Sequence, residues 1–233
     1  MIHQILILKD YSFEVEHFTK QNEKHFKKMY PMEDYKLWLN SEIEKFIKLN
    51  FDESVFYSYV KLQPYAYKAD LARYCILYIL GGWYFDFFTL PLFGYKPEKS
   101  ILLFRDFYIS EAAPWALNNA VVYTEAKNKI FLRCIQEIVM NCRLDFYGAS
   151  SLFVSGPPLL GSAVSVDFRN FHHYEIGEFT KKEGENRFSF YVSNRDKLAL
   201  HKDSEGGVFN LPGSNNYGEM WKNREVYDLN IKI

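Results

Sequence analysis

Between Lys68 and Thr89 the chain reads KADLARYCILYILGGWYFDFFT, and this stretch constrains the fold more than any other. Ala69, Ala72, Cys75, Ile76 and Ile79 recur at three- and four-residue steps, which predicts a helix with one buried face. Pro64 opens it, since a first-turn proline forfeits no internal hydrogen bond, and Gly81-Gly82 stops it near Leu80. Trp83 to Phe88 then reads as a strand rich in aromatics and carrying one acid, Asp86. Asp70 and Arg73 are three apart and share a helix face. A lone carboxylate on so apolar a strand is costly unless it has a partner or sits at the strand's end. Ligands of open α/β sheets collect at the carboxyl ends of strands. An acid there, near Asp70 and Arg73, suits a ribose, a sugar hydroxyl or a divalent ion. The competing reading is an ion pair on a solvated helix face, worth a few tenths of a kcal/mol. Ala69, Ala72 and Tyr74 leave little room for such a face.

The rest of the chain alternates strands and helices. Ile2 to Leu8 is an apolar run read as a buried strand, Phe13 to Lys28 as a helix, and Tyr35 to Leu39 as a second strand. Ser41 with Glu44 reads as a capping box before a helix whose apolar face is Ile43, Phe46 and Ile47. Helical patterns follow at Glu53 to Leu62 and Lys129 to Cys142, and short strands at Ile101 to Phe104 and Ala120 to Tyr123. Gly156-Pro157-Pro158 predicts a turn and a short helix. Beyond Phe168 the character changes: His172 to Lys197 alternates as in hairpins, and Ser204 to Tyr217 reads as a loop. The expectation is one α/β domain with a mostly parallel central sheet flanked by helices. Residues 1–168 would be the core, and residues 169–233 a closing segment.

Composition narrows the function. With 28 basic and 29 acidic residues and a net charge of -1, the chain lacks the basic excess that grips nucleic acid. The run Lys20 to Lys28 reads as a solvated helix face, with contact to anionic lipid headgroups as the alternative. Cys75, Cys134 and Cys142 have no metal-ligand spacing and suit a reducing compartment. The N-terminal run is too short for a signal peptide, and no window has the apolar length of a membrane span. A cytoplasmic protein is expected, with peripheral contact at the inner membrane face. The 21 Phe and 18 Tyr suit stacking on sugars and bases, or reflect only a compositional bias.

ADLARYCILYILGGWYFDF resembles the core signature of glycosyltransferase family 32, the DXD-containing sugar-binding region. IHQIL resembles that family's first strand, YKLWLN the segment after its first helix, and SGPPLLGSAV its "TGP" segment. The clostridial glucosylating toxins share the same core logic. The resemblance implies a GT-A fold, a nucleotide-sugar donor, retention of anomeric configuration and a divalent cation, Mn²⁺ or Mg²⁺. It implies that Asp70 accepts donor-sugar hydroxyls, that Arg73 contacts sugar or phosphate, and that Asp86 holds the ribose and approaches the metal. His3 and Gln4 would line the base pocket, through their backbone before their side chains. Phe88 falls where the family has its second DXD aspartate, and a phenylalanine cannot coordinate a hard cation. Three explanations stay open. The metal is held by Asp86, the diphosphate, water and a C-terminal ligand; basic side chains neutralise the diphosphate without metal; or catalysis has been lost.

The C-terminal stretch NLPGSNNYGEMWKNREVY resembles the segment that the family brings over the diphosphate. Asn215, Asn216 and Tyr217 offer oxygens, with Asn216 the candidate second metal ligand. Trp221 would close over the donor, and Lys222, Arg224 or His201-Lys202-Asp203 would meet phosphates. An ordinary polar loop packed by Trp221 is the alternative. Asn118-Asn119 reads as an acceptor-side segment or a turn, and Arg105-Asp106 as a surface ion pair before an acceptor cleft. His172-His173 lacks partners at zinc spacing, Gly206-Gly207 lacks a Walker pattern, and Ser155 is in no nucleophile elbow. The resemblance therefore implies transfer of a hexose or N-acetylhexosamine from a UDP-sugar to a glycan or lipid-linked glycan acceptor, with bacterial surface-polysaccharide synthesis as the expected setting. A non-catalytic nucleotide-sugar-binding protein is the alternative.

Overall fold

The structure, a computed structural model, describes residues 1–9, 13–185, 187–192, 196–201 and 215–233, with backbone only at 13, 14, 168 and 201. The first half comprises β1 (Ile2–Leu6), α1 (Phe13–Met29), β2 (Tyr35–Leu39), α2 (Asn40–Asn50), α3 (Glu53–Lys61), α4 (Tyr65–Leu80), β3 (Gly82–Phe85) and β4 (Thr89–Pro91). It continues with β5 (Ile101–Asp106), β6 (Leu117–Thr124), α5 (Lys129–Arg143) and α6 (Pro157–Ser165). The last elements are β7 (Tyr174–Thr180), β8 (Ser189–Tyr191), β9 (Lys197–His201) and α7 (Tyr217–Lys222).

The strands form one sheet in the order β2-β1-β3-β6-β5-β7-β8-β9-β4. The expectation of a mostly parallel sheet is corrected. Among the described residues β1 runs parallel to β2 and β3, and β5 to β7, whereas β3·β6, β5·β6, β7·β8, β8·β9 and β4·β9 are antiparallel. Parallel neighbours need a long crossover, which α1 and then α2–α4 supply on the β1 side. No α-helix lies between β3 and β6, and the short links among β7, β8 and β9 permit only hairpins.

Strand alternation splits the core between the two faces of the sheet. In β3, Trp83 and Phe85 join Phe26, Leu102, Phe104 and Phe190 on one face, while Tyr84 points to the larger cluster beneath the helices. The helix α4 belongs to that larger cluster. Only one buried face was expected of it, yet residues 70–77 are all buried, the mark of a helix enclosed on every side. Its exit requires both glycines. Gly81 and Gly82 have φ of +64° and +93°, and a Cβ would lie 2.5 Å from Ala126 N at the first and 2.5 Å from Met1 O at the second. The α2 cap also differs: Glu42, not Glu44, accepts the N–H of Leu39, and Ser41 already lies inside the helix. The aromatic wealth is largely structural, for Tyr59, Tyr74, Tyr84, Phe26, Phe85, Phe104, Phe131 and Phe190 are fully enclosed.

Candidate active site

The sequence reading placed Asp86 on a strand; β3 in fact ends at Phe85, so Asp86 sits just past the carboxyl edge of the sheet. Its backbone is tied three ways. Its N–H donates to Ala120 O (2.7 Å), and its carbonyl accepts from Thr89 N–H (2.8 Å) and from Gln4 Nε2 (3.1 Å). Gln4 is itself fixed, its Oε1 accepting from Asn22 and Tyr35. The acid therefore leaves the strand at a defined angle, with its side chain 35% exposed.

Arg73 links it to α4. One terminal nitrogen of Arg73 donates to Asp70 Oδ1 (2.9 Å), the other to Asp86 Oδ1 (2.8 Å) and Tyr84 OH (3.3 Å). Tyr84 in turn donates to Asp86 Oδ1 at 2.7 Å. Asp70 and Arg73 are only 8% and 3% exposed, which excludes the solvated-face reading. Asp70 has two further donors, Asn119 Nδ2 to its Oδ1 (3.0 Å) and Ser155 Oγ to its Oδ2 (2.7 Å). Arg73 Nε alone of the guanidinium nitrogens is buried without a partner, an orphan that calls for a water or ligand atom.

The electrostatics follow from this enclosure. Burial pushes the Asp70 carboxyl up to about 6, against the pull of Arg73, Ser155 and Asn119, and the nearby Asp86 charge adds to the rise. Burial also opposes the charge on Arg73, but Tyr84, Asp86 and Asp70 outweigh it and hold the guanidinium ionised. With both acids ionised the triad carries a net single negative charge. Tyr217 borders it: burial, then Asp70, Tyr108 and Asp86, raise its phenol, and its ring lies 5.9 Å from that of Tyr67 on α4.

Other expected site residues have different surroundings. His3 and Gln4 are wholly buried. The His3 ring is engaged on both sides, Nδ1 accepting from Trp38 Nε1 (3.2 Å) and Nε2 lying 3.0 Å from Gly81 O. Burial lowers its ionisation to about 4. Asn215 bridges to the start of α4, its Oδ1 accepting from Tyr65 N–H (2.9 Å) and its Nδ2 donating to Gln63 O (3.1 Å). Asn216 caps α7 by accepting from Gly218 and Glu219 N–H. Trp221 packs against the larger core and donates to Tyr147 O at 2.7 Å. Arg224 lies over the Tyr147 ring, and Lys222 is exposed. The His201 side chain, Lys202, Asp203 and Gly206-Gly207 lie outside the described residues. Asp106 is not on the surface: it is buried, accepting from Tyr108 N–H and Asn118 Nδ2.

Mn²⁺ and Mg²⁺ want several oxygens. Asp86 has Oδ2 left over, the Asn216 oxygen is spent on its cap, and Phe88 packs in an apolar cluster with Leu6, Val15 and Phe87. No group of three or more His, Cys, Asp or Glu converges among the described residues. The described residues do not by themselves fit a metal.

Residues 6–93 match the family model described as "Glycosyltransferase sugar-binding region containing DXD motif". Asp70, Arg73 and Asp86 lie inside the matched span; Asn119, Ser155 and Tyr217 lie outside it. No Asp-x-Asp tripeptide occurs in the chain, which reads Asp86-Phe87-Phe88. Over 86 residues the chain is 40% identical to an uncharacterized glycosyltransferase, L373, of Acanthamoeba polyphaga mimivirus, covering 37% of this chain and 34% of that protein. The match thus spans about a third of the relative's length. The solved PaToxG glycosyltransferase superposes with a TM-score of 0.57 over 73% of this chain and 70% of its own, at 19% identity, which shows a shared fold. Residues 6–93 thus resemble a glycosyltransferase sugar-binding region, and the fold resembles that of a solved glycosyltransferase. No helix among the described residues is long and apolar enough to cross a membrane.

The sequence reading missed three contributors. Tyr84 was legible in principle, because the strand pattern read from Trp83 to Phe88 puts it two residues before Asp86 and so on the same side. Asn119 was flagged only as acceptor side or turn, yet an amide inside the apolar strand β6 needs a buried partner. Ser155 carried no signal beyond its place before Gly156-Pro157-Pro158.

Proposed function

We propose that this protein is a GT-A glycosyltransferase of the family 32 kind that transfers a hexosyl group from a nucleoside diphosphate sugar, a UDP-sugar by resemblance, to a hydroxyl of a glycan. The observation that carries the reading is the Asp70–Arg73–Asp86 network at the carboxyl edge of β3, buried at Asp70 and Arg73 and open at Asp86. Ionised Asp70 accepts donor-sugar hydroxyls, Asp86 meets the ribose, and Arg73 holds both carboxylates in place. Such preorganised polar groups act where charge develops in the transition state. In the proposed retaining step the bond from the anomeric carbon to the diphosphate breaks. The acceptor oxygen bonds to the same face of that carbon, and its proton passes to the departing diphosphate. An inverted product anomer would overturn the stereochemical part. The expectation of bacterial surface-polysaccharide synthesis gains no support from the relative, which is viral.

A thermal-shift panel of nucleotide sugars, each with and without Mn²⁺, tests the reading. One donor should raise the melting temperature and Asp86→Ala should abolish that shift; an unchanged shift removes Asp86 from the site. The packing of Phe88 among apolar side chains favours a second reading, a nucleotide-sugar-binding protein without turnover. Slow release of UDP from the stabilising donor separates the two, since the inert protein releases none.

A further inference from the structure

We infer that Ser155 is a positioning residue which orients the Asp70 carboxylate, so that the site recognises the sugar of its donor and not only the nucleotide. This rests on the nucleotide-sugar reading above. The two oxygens of Asp70 are held differently: Oδ1 takes Arg73 and Asn119, while Ser155 is the partner of Oδ2. Arg73 and Asn119 anchor one oxygen and leave the carboxylate free to turn about it. The Ser155 bond at 2.7 Å removes that turn. It also leaves Oδ2 a lone pair for a ligand hydroxyl, since a carboxylate offers about four acceptor sites and Arg73, Asn119 and Ser155 take three of them.

The hydroxyl stands on a rigid support. Ser155 is wholly buried, and its carbonyl accepts from Tyr74 OH at 3.3 Å, one turn beyond Asp70 on α4. Gly156 is the N-cap of α6 and closes onto Leu152 O through its N–H (3.1 Å). A Cβ at Gly156 would lie 2.9 Å from that same oxygen. Asn119 repeats the pattern from the other side, its Nδ2 reaching both Asp70 Oδ1 (3.0 Å) and Tyr74 OH (3.2 Å). Two segments far apart in sequence therefore straddle the same pair of α4 residues. A serine filling space in a core needs no such alignment; a carboxylate that must present fixed lone pairs does.

The test compares the binding of UDP with that of the stabilising UDP-sugar by calorimetry, for wild type, Ser155→Ala and Ser155→Thr. In Ser155→Ala the UDP affinity should stay within about twofold, while the extra affinity from the sugar falls roughly 10- to 100-fold, the scale of one hydrogen bond to a charged group. Ser155→Thr, which keeps the hydroxyl, should restore most of it. If Ser155→Ala does not fold, Ser155→Cys keeps the volume with a weak donor and should show the same loss. Equal losses for UDP and UDP-sugar, or an intact sugar increment, overturn the role of Ser155. A wild-type protein that binds UDP-sugar no better than UDP also overturns it. Wild type that binds neither overturns the donor reading itself.

Discussion

Replacing Arg73 with methionine isolates the charge logic of the site. The variant keeps a long apolar stem but leaves Asp70 and Asp86 without their shared cation. Asp86 is more exposed and can recruit water, so the enclosed Asp70 bears the cost. Removing one partner of a buried pair costs about 3–5 kcal/mol. That cost should depend on pH. The Asp70 carboxyl sits at about 6, above its ordinary 3.8, with burial the largest cause and Arg73 the largest opposing one. The native state therefore binds more protons than the unfolded state between about 4 and 6, and stability falls as pH rises through that window. Without Arg73 the upper edge of the window moves higher. The deficit of Arg73→Met relative to wild type should then widen from pH 5 to pH 8, by up to about 1.4 kcal/mol per pH unit within the extended window. His3 has the opposite slope, because burial lowers it from 6.5 to about 4 and its stabilising effect is lost as pH falls through that range. Subtracting variant from wild type cancels it. Urea unfolding at pH 5, 6, 7 and 8 reads the effect, with Arg73→Met/Asp70→Asn as partner. A deficit that is flat in pH, or a double variant no more stable than the single one, would refute the reasoning.

Three further outcomes are expected. Tyr84→Phe removes the hydroxyl bonded to Asp86 and should weaken donor binding about tenfold, read by calorimetry; wild-type affinity would mean that Asp86 needs no such support. Asn215→Ala uncovers the first N–H of α4 and should cost about 1 kcal/mol, a fall of roughly 2–4 °C in Tm, and an unmoved Tm would count against the bridge. If ionised Asp70 holds the sugar, kcat/KM for the donor should fall as pH drops below about 6; a profile level down to pH 5 contradicts that role.

The helix-Gly-Gly-strand unit was readable because local rules govern it: apolar periodicity, and a turn whose positive φ and close contacts admit only glycine. Strand direction was not. Nothing in the composition of β5 or β6 reveals which way each runs, and only the missing helix between β3 and β6 hints at reversal. The charged half of the site was legible because Asp70, Arg73 and Asp86 lie within one short stretch. The amide and hydroxyl that complete it come from 49 and 85 residues beyond Asp70. No local pattern says which buried polar group will meet which. The partners of the His3 ring were equally hidden: the resemblance implied a base-pocket wall made by its backbone, and no local pattern foretold that Trp38 and Gly81 engage both ring nitrogens.

The bridge from Asn215 to the start of α4 also bears on the order of synthesis. Asn215 leaves the ribosome 150 residues after Tyr65, roughly 8–30 s later at ordinary elongation rates. The nearby pairing of Gln63 with Val226 and of Lys61 with Asp228 comes later still. During that interval the segment that carries Asp70 and Arg73 lacks the Asn215 bond at Tyr65 and the Tyr217 ring beside Tyr67. The candidate site around Asp70 and Arg73 therefore draws on Ser155 and on the Asn215 bridge, both made well after its charged centre.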